Sequence, residues 1–253
     1  MTRLSPPMLY RCPRCAGYFT RSVLTSLHFY ADVPSWSDGK NEQWWVGLSR
    51  PAGRCPTCLV VVWIDDAAEL MPAPREPRAI GALPRLWHLL TGDRAGRLRD
   101  EQEWASLPRA IKDPERLIGL STTQDYVDAL AQIATLPPER EEYLRRQLWW
   151  AANDHLRRES HTPTLEVDAA RANMERLLDL LPSTARTLER VELYRQLGCF
   201  QEALDLIPSV RSEQWVNAEL QKQWAEAGDS IMRVIPPQIK AQARTSQRGA
   251  VVW

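Results

Sequence analysis

Two patterns of apolar and polar positions divide this chain. Up to about residue 70, short runs rich in β-branched and aromatic residues recur at Gly17-Tyr-Phe-Thr20, Ser22 to Tyr30, Gln43-Trp-Trp-Val-Gly-Leu48 and Leu59-Val-Val-Val-Trp-Ile64. That is the composition and length of strands, and the continuous run 59–64 reads as a buried one. Between them, Ser35-Trp-Ser-Asp-Gly-Lys40 is a turn, with Asp38-Gly39 its strongest signal. After the last run, Asp65, Asp66 and Glu69 predict the start of a helical turn, where acids complement free N–H groups.

From about residue 121 the apolar positions recur at helical spacing. A first helix is expected near Thr122 or Thr123, capped ahead of Gln124 and Asp125, with Tyr126, Leu130 and Ile133 on one face. A second starts after Pro137-Pro138 with Glu139, Glu141 and Glu142 in its first turns. Its buried stripe is Leu144, Leu148, Ala152 and Leu156, widened by Trp149, Trp150 and Asn153, which makes it the centre of the helical part. A third carries Ala170, Met174, Leu177, Leu178 and Leu181 and stops at Pro182. A fourth is expected from Ser183 or Thr184 through Leu188, Val191 and Tyr194 to Leu197-Gly198.

Residues 71–120 break both patterns with Pro72, Pro74, Pro77, Pro84, Pro108 and Pro114 and read as a connector with short helices. Within it, Leu83, Leu86, Trp87, Leu89 and Leu90 form an apolar cluster. Arg94, Arg97 and Arg99 form a loose basic loop among the acids Asp93, Asp100, Glu101 and Glu103. The division expected is 1–70, 71–120, 121–235, and a basic tail 236–253 that either docks by its apolar tip or reaches for an anionic partner.

Composition narrows the class. The chain has 253 residues, 44% of them hydrophobic, with a formal net charge of zero and eleven tryptophans suited to core or partner anchoring. No apolar run approaches the roughly 18 to 20 residues of a membrane span. With no apolar signal region at the start, a cytoplasmic location is expected, with no membrane contact.

The candidate chemistry is Cys12-Pro-Arg-Cys15 answered by Cys55-Pro-Thr-Cys58. Two such turns separated by about 40 residues are the pattern of a four-thiolate zinc site. Iron in this ligand set serves electron transfer, for which no redox partner is evident, so Zn2+ is the expected ion. The competing readings are two disulfides, or four cysteines serving as small hydrophobes, the first disfavoured by the missing secretory signal and the leftover Cys199. A closed four-thiolate shell has no open position, so the metal is expected to be structural. His155 beside the stripe of the second helix reads as a hydrogen-bonded edge residue rather than a general base, and His161 as a loop residue.

Tyr194-Arg-Gln-Leu-Gly198-Cys-Phe200-Gln-Glu-Ala203-Leu204-Asp-Leu-Ile207 resembles the inter-helix turn of a tetratricopeptide repeat. A weaker echo follows, with Trp215, Ala218 and Trp224 in a helix ending at Gly228, about 30 residues on from Gly198 against the usual ~34. Together with the paired Cys-Pro-x-Cys turns, the Trp36 to Lys40 turn, Trp63 to Glu69 and Trp149 to Asp154, the chain resembles uncharacterised bacterial proteins that join an N-terminal zinc ribbon to a C-terminal helical-repeat region. The resemblance implies an α+β fold, a small antiparallel zinc-ribbon sheet followed by an all-α, tetratricopeptide-like domain. One departure is that Ala16 and Leu59 stand where ribbon knuckles often have glycine.

Three function classes follow. The first is a non-enzymatic adaptor with a protein partner, resting on the repeat-type helix pairs, the tryptophans and the absence of a Walker loop, Rossmann pattern, HExxH or GxSxG. The second is nucleic-acid binding by the ribbon, where Arg3, Arg11, Arg14, Arg21, Lys40, Arg50 and Arg54 outnumber Asp32, Asp38 and Glu42 and Trp44 or Trp45 can stack on bases. The third is an enzyme using His155, His88 or Asp154.

Overall fold

A computed structural model describes residues 3–26, 35–40, 50–77, 94–132, 136–157, 162–182, 186–211 and 214–235. The strand expected at 43–48, the apolar cluster at 83–90, Ile133, the helix start at 183–184 and the tail 236–253 lie outside them. The fold is mixed: small antiparallel sheets in the N-terminal half, then helices. It falls into two compact units, one drawn from Met1–His28 and Trp45–Leu120, the other from Phe29–Trp44 and Ser121–Trp253.

In the first unit, β1 (Arg3–Leu4) pairs with β4 (Leu24–Ser26), and β2 (Met8–Arg11) pairs with β3 (Tyr18–Arg21). Alternation sets the register of the second pair: Tyr10 faces Phe19, their rings stacked at 5.7 Å, and Leu9 faces Thr20. A second three-stranded sheet holds β6 (Ala52–Arg54) between β7 (Val61–Trp63) and β9 (Ile118–Gly119). The apolar run at 59–64 thus supplies a strand shorter than expected, with Val61, Val62 and Trp63 all buried.

The helical turn expected at Asp65 and Asp66 forms, but Glu69 does not extend it. Only Ile64–Asp66 turns, as one turn of 3-10 helix, and β8 (Ala68–Pro72) then lies along β2. Pro72 and Pro74 disfavour helix in the residues before them, and Glu69 accepts a 2.8 Å hydrogen bond from the Tyr10 hydroxyl, which ties the strand down. The loose basic loop expected at 94–99 is instead part of α1 (Arg94–Ser106), followed by α2 (Arg109–Lys112).

In the second unit, α3 (Thr123–Ala131) begins at a complete capping box: the Asp125 N–H donates to Thr122 Oγ1 at 3.1 Å, and the Asp125 carboxylate accepts from the Thr122 N–H at 2.9 Å. Pro138 opens α4 (Pro138–Ala152), whose Leu144, Leu148 and Trp149 are buried against α3 and α6 (Val167–Leu180). The stripe ends sooner than the spacing suggests. Asn153 terminates the helix, and Leu156, in the short α5 (Asp154–Arg157), is exposed. Next come α7 (Thr187–Gln196), α8 (Phe200–Leu206) and α9 (Trp215–Glu226).

Glycine closes two of these helices. After α7, the Cys199 N–H reaches the Tyr194 C=O at 2.9 Å and the Gly198 N–H reaches the Arg195 C=O at 3.0 Å. After α9, Asp229 and Gly228 make the same pair of bonds to Trp224 and Ala225. Both glycines hold a positive φ, 79° and 66°, that other residues resist. Val191, Ala203, Ile207, Ala218 and Ala225 form the core these turns bring together.

An ion cluster links α4 to α6. Glu141 accepts from Arg176 Nη2 at 2.9 Å and Arg145 Nε at 2.7 Å, and the hydrogen bond from Arg176, then that from Arg145, hold its carboxyl down to about 2. An unfolded glutamate titrates near ~4.3, so this contribution is fully present above that value and is lost as pH falls through about 2. Glu141→Gln is expected to flatten the decline of thermal midpoint over that acid range. An unchanged slope would contradict the assignment. Among the described residues, no helix is long and apolar enough to cross a membrane.

Candidate metal centre

Each Cys-Pro-x-Cys turn closes a hairpin, the first joining β2 to β3 and the second β6 to β7. The two are built alike. The Ala16 N–H donates to the Cys12 C=O at 3.0 Å and the Leu59 N–H to the Cys55 C=O at 2.8 Å. Cys12 and Cys55 in turn donate to the Gly17 and Val60 carbonyls at 2.8 and 3.0 Å. Backbone N–H groups also point at sulfur, from Arg14 to Cys12 Sγ and from Gly17 to Cys15 Sγ, both at 3.4 Å. Such donors stabilise thiolates.

The four sulfurs of Cys12, Cys15, Cys55 and Cys58 lie within 4.8 Å of one another. Cys12 and Cys58 are 4.0 Å apart and Cys15 and Cys55 3.8 Å, far beyond the ~2.05 Å of a disulfide. A tetrahedron with metal–sulfur bonds of ~2.3 Å has edges of about 3.8 Å, so the set fits a four-coordinate metal ion. The competing disulfide reading does not fit this geometry.

Cys12 and Cys55 are buried in one cluster with Tyr10, Phe19, Val62 and Ile64, and Cys58 packs against it. Burial pushes the Cys12 and Cys58 thiols up, so thiolates at these two positions call for a cation to offset them. The apolar core of the N-terminal sheets and the sulfur cluster are therefore one body.

The missing knuckle glycines have a structural counterpart. Ala16 and Leu59, each directly after a second cysteine, take φ of 58° and 59°. The turn imposes left-handed backbone whichever residue stands there, at ~1–2 kcal/mol for a residue with a Cβ. Leu59 is 57% exposed, so little packing offsets the strain. Leu59→Gly is expected to stabilise the ribbon by ~0.5–1 kcal/mol after the added freedom of the unfolded chain is counted. Thermal unfolding of the metal-loaded protein checks this, and a lower midpoint would contradict it.

The contact between the two knuckles leaves little sign in the sequence. A Cβ at Gly17 would meet Thr57 Oγ1 at 2.7 Å and Cys15 Sγ at 3.2 Å. The absent side chain lets the second turn close on the first. A glycine two residues after Cys15 was the available signal.

Among the described residues, the other candidates do not gather into a site. His155 bonds through Nδ1 to the Ala152 carbonyl at 2.7 Å, while Asp154 is held by Lys40 and by Arg157. His88, His161, Trp44 and Trp45 lie outside the described residues. Arg3, Arg11 and Arg14 are exposed and Arg21, Arg50 and Arg54 half-buried, but Lys40 lies in the helical unit, not the ribbon.

The reason is that residues 35–40 pack among the helices. β5 (Ser35–Trp36) pairs with β10 (Val234–Ile235). Beyond it, Ser37 Oγ donates to Glu192 Oε1 at 2.7 Å, Trp150 Nε1 donates to the Asp38 C=O at 2.9 Å, and Asp38 forms an ion pair with Arg157. Glu192 and Arg195 are wholly buried and paired at 2.7 Å, with Arg195 also over the Trp224 ring at 5.3 Å. Sequence reading kept this turn with the ribbon and missed the network. The available signal was a charged pair three apart on a helix whose Val191 and Leu193 flank the glutamate, the pattern of a helix buried on several faces. No protein family, curated protein or solved structure matches this chain.

Proposed function

We propose that this protein is a non-enzymatic interaction adaptor, in which a structural zinc ion holds the ribbon rigid and the helical unit receives a protein partner. The observation that carries the reading is the closed sulfur shell. Four thiolates at tetrahedral spacing leave zinc no position for water or substrate, so the ion serves the fold. Zinc is preferred over iron because the centre has no evident redox partner. The free thiols suit a reducing, cytoplasmic setting.

Support for the second half comes from the helical unit. Its helices end in matching glycine turns at Gly198 and Gly228, in keeping with a tetratricopeptide-like pairing. Its surface carries Val167, Trp215 and Ile231 at 71%, 48% and 50% exposure. A half-exposed tryptophan is the residue type that most often anchors a protein interface.

The test is purification of the full chain from its host, with elemental analysis and cross-linking of the same sample. The expected result is one zinc per chain and one defined protein cross-linked reproducibly, its recovery falling about tenfold in Trp215→Ala. No protein captured above background, or an ion that exchanges bound water for substrate during turnover, would overturn the proposal.

A further inference from the structure

A cleft of about 260 Å³ opens in the ribbon unit where residues 115–119 meet both three-stranded sheets. The Thr20 N–H donates to the Glu115 C=O at 2.8 Å and the Leu117 N–H to the Thr20 C=O at 2.9 Å, while β9 pairs with β6. One short stretch of chain thus lies along β3 and then along β6, and the cleft forms beside it. Arg21, Arg50 and Arg116 line the cleft from three separate segments, Ser22 adds a hydroxyl, and no carboxylate side chain is among the lining residues. Arg21 is fixed by a 2.8 Å hydrogen bond from Nη2 to the Arg50 C=O. Among the described residues, neither Arg21 nor Arg116 forms an ion pair with a carboxylate.

Arg21 and Arg116 bring two guanidinium groups with no carboxylate partner among the described residues to one small volume, and like charges so placed repel one another unless an anion shares it. A carboxylate offers two oxygens and one charge. A phosphate offers more oxygens in a tetrahedral array, which suits planar forks approaching from different directions. We propose that this cleft binds a phosphate group, supplied either by a small phosphate-bearing molecule or by the backbone of a nucleic acid. The site is independent of the partner surface on the helical unit, so either reading can fail alone.

The test uses the metal-loaded full chain and two probes: inorganic phosphate by calorimetry, and a single-stranded oligonucleotide by fluorescence anisotropy at low salt. Arg116 is exposed, so Arg116→Gln is expected to keep its metal while weakening binding about tenfold, with Arg116→Lys retaining more affinity. If Arg116→Gln loses its metal, Arg21→Gln takes its place in the comparison. Arginine-dependent binding of inorganic phosphate supports the proposal and identifies a small-molecule source. Arginine-dependent binding of the oligonucleotide alone supports it and identifies a phosphodiester. Binding of neither probe, or binding that the glutamine variant leaves unchanged, overturns it.

Discussion

With the proposed zinc bound at the four cysteines, chelation is expected to unfold the first unit while the helices of the second unit keep their structure. The strands around the sulfur cluster are two to five residues long, and the buried cluster they share includes two of the ligands themselves. Sheets this small are marginal in water. A structural zinc contributes ~10–16 kcal/mol in zinc-finger peptides, as much as the whole stability of a typical domain. Hydrogen exchange checks the result: amides of β2, β3, β6 and β7 should lose protection on chelation, and those of α4, α6 and α7 should retain it. Cys55→Ser is expected to do the same without chelator and to abolish metal binding, because it removes a ligand that is completely buried. A metal-free chain with its strand amides still protected would show that Leu9, Phe19 and Val62 suffice on their own.

Loss of Glu192 is the second large effect. Its carboxylate accepts from Arg195 Nε at 2.9 Å, Arg195 Nη2 at 2.7 Å, Ser37 Oγ at 2.7 Å and Gln196 Nε2 at 2.7 Å, with no exposure to solvent. Glu192→Gln leaves the Arg195 charge buried, with the Asp229 carboxylate no nearer than 3.9 Å. Breaking such a pair costs ~3–5 kcal/mol, whereas replacing both partners with apolar residues of similar volume is often near neutral. Urea unfolding followed by far-UV ellipticity should therefore show a large loss for Glu192→Gln and partial recovery in Glu192→Leu with Arg195→Met. Recovery is partial because Ser37 and Gln196 also lose an acceptor. A single-variant loss below ~1 kcal/mol would mean that water reaches the pair.

Several of these features were legible in advance because their causes are local. The capping box at Thr122, the proline start at Pro138 and the glycine stops at Gly198 and Gly228 each depend on residues within one helical turn. Where local signals conflicted with a neighbouring chain, they failed. Asp65 and Asp66 sit in a single helical turn, but Glu69 does not prolong it, because the edge of β2 took residues 68–72 as a strand. The turn expected over Ser35 to Lys40 is confined to Ser37 and Asp38, after the strand Ser35–Trp36, and nothing in those residues says that the groups to satisfy Ser37 and Asp38 come from Arg157 and Glu192, more than a hundred positions away.

By itself, the sequence determined which four sulfurs would meet, since two Cys-Pro-x-Cys turns need only one hairpin each to present their thiols, and it determined the mixed class with helices last. Tertiary structure alone decided that residues 35–40 belong to the helical unit, and that Arg21, Arg50 and Arg116 share one cleft. The physical reason is the same in both cases. Buried polar groups and shared charge are satisfied by whichever chain packs nearest, and a linear pattern records a residue's own preference but not its neighbour across the fold.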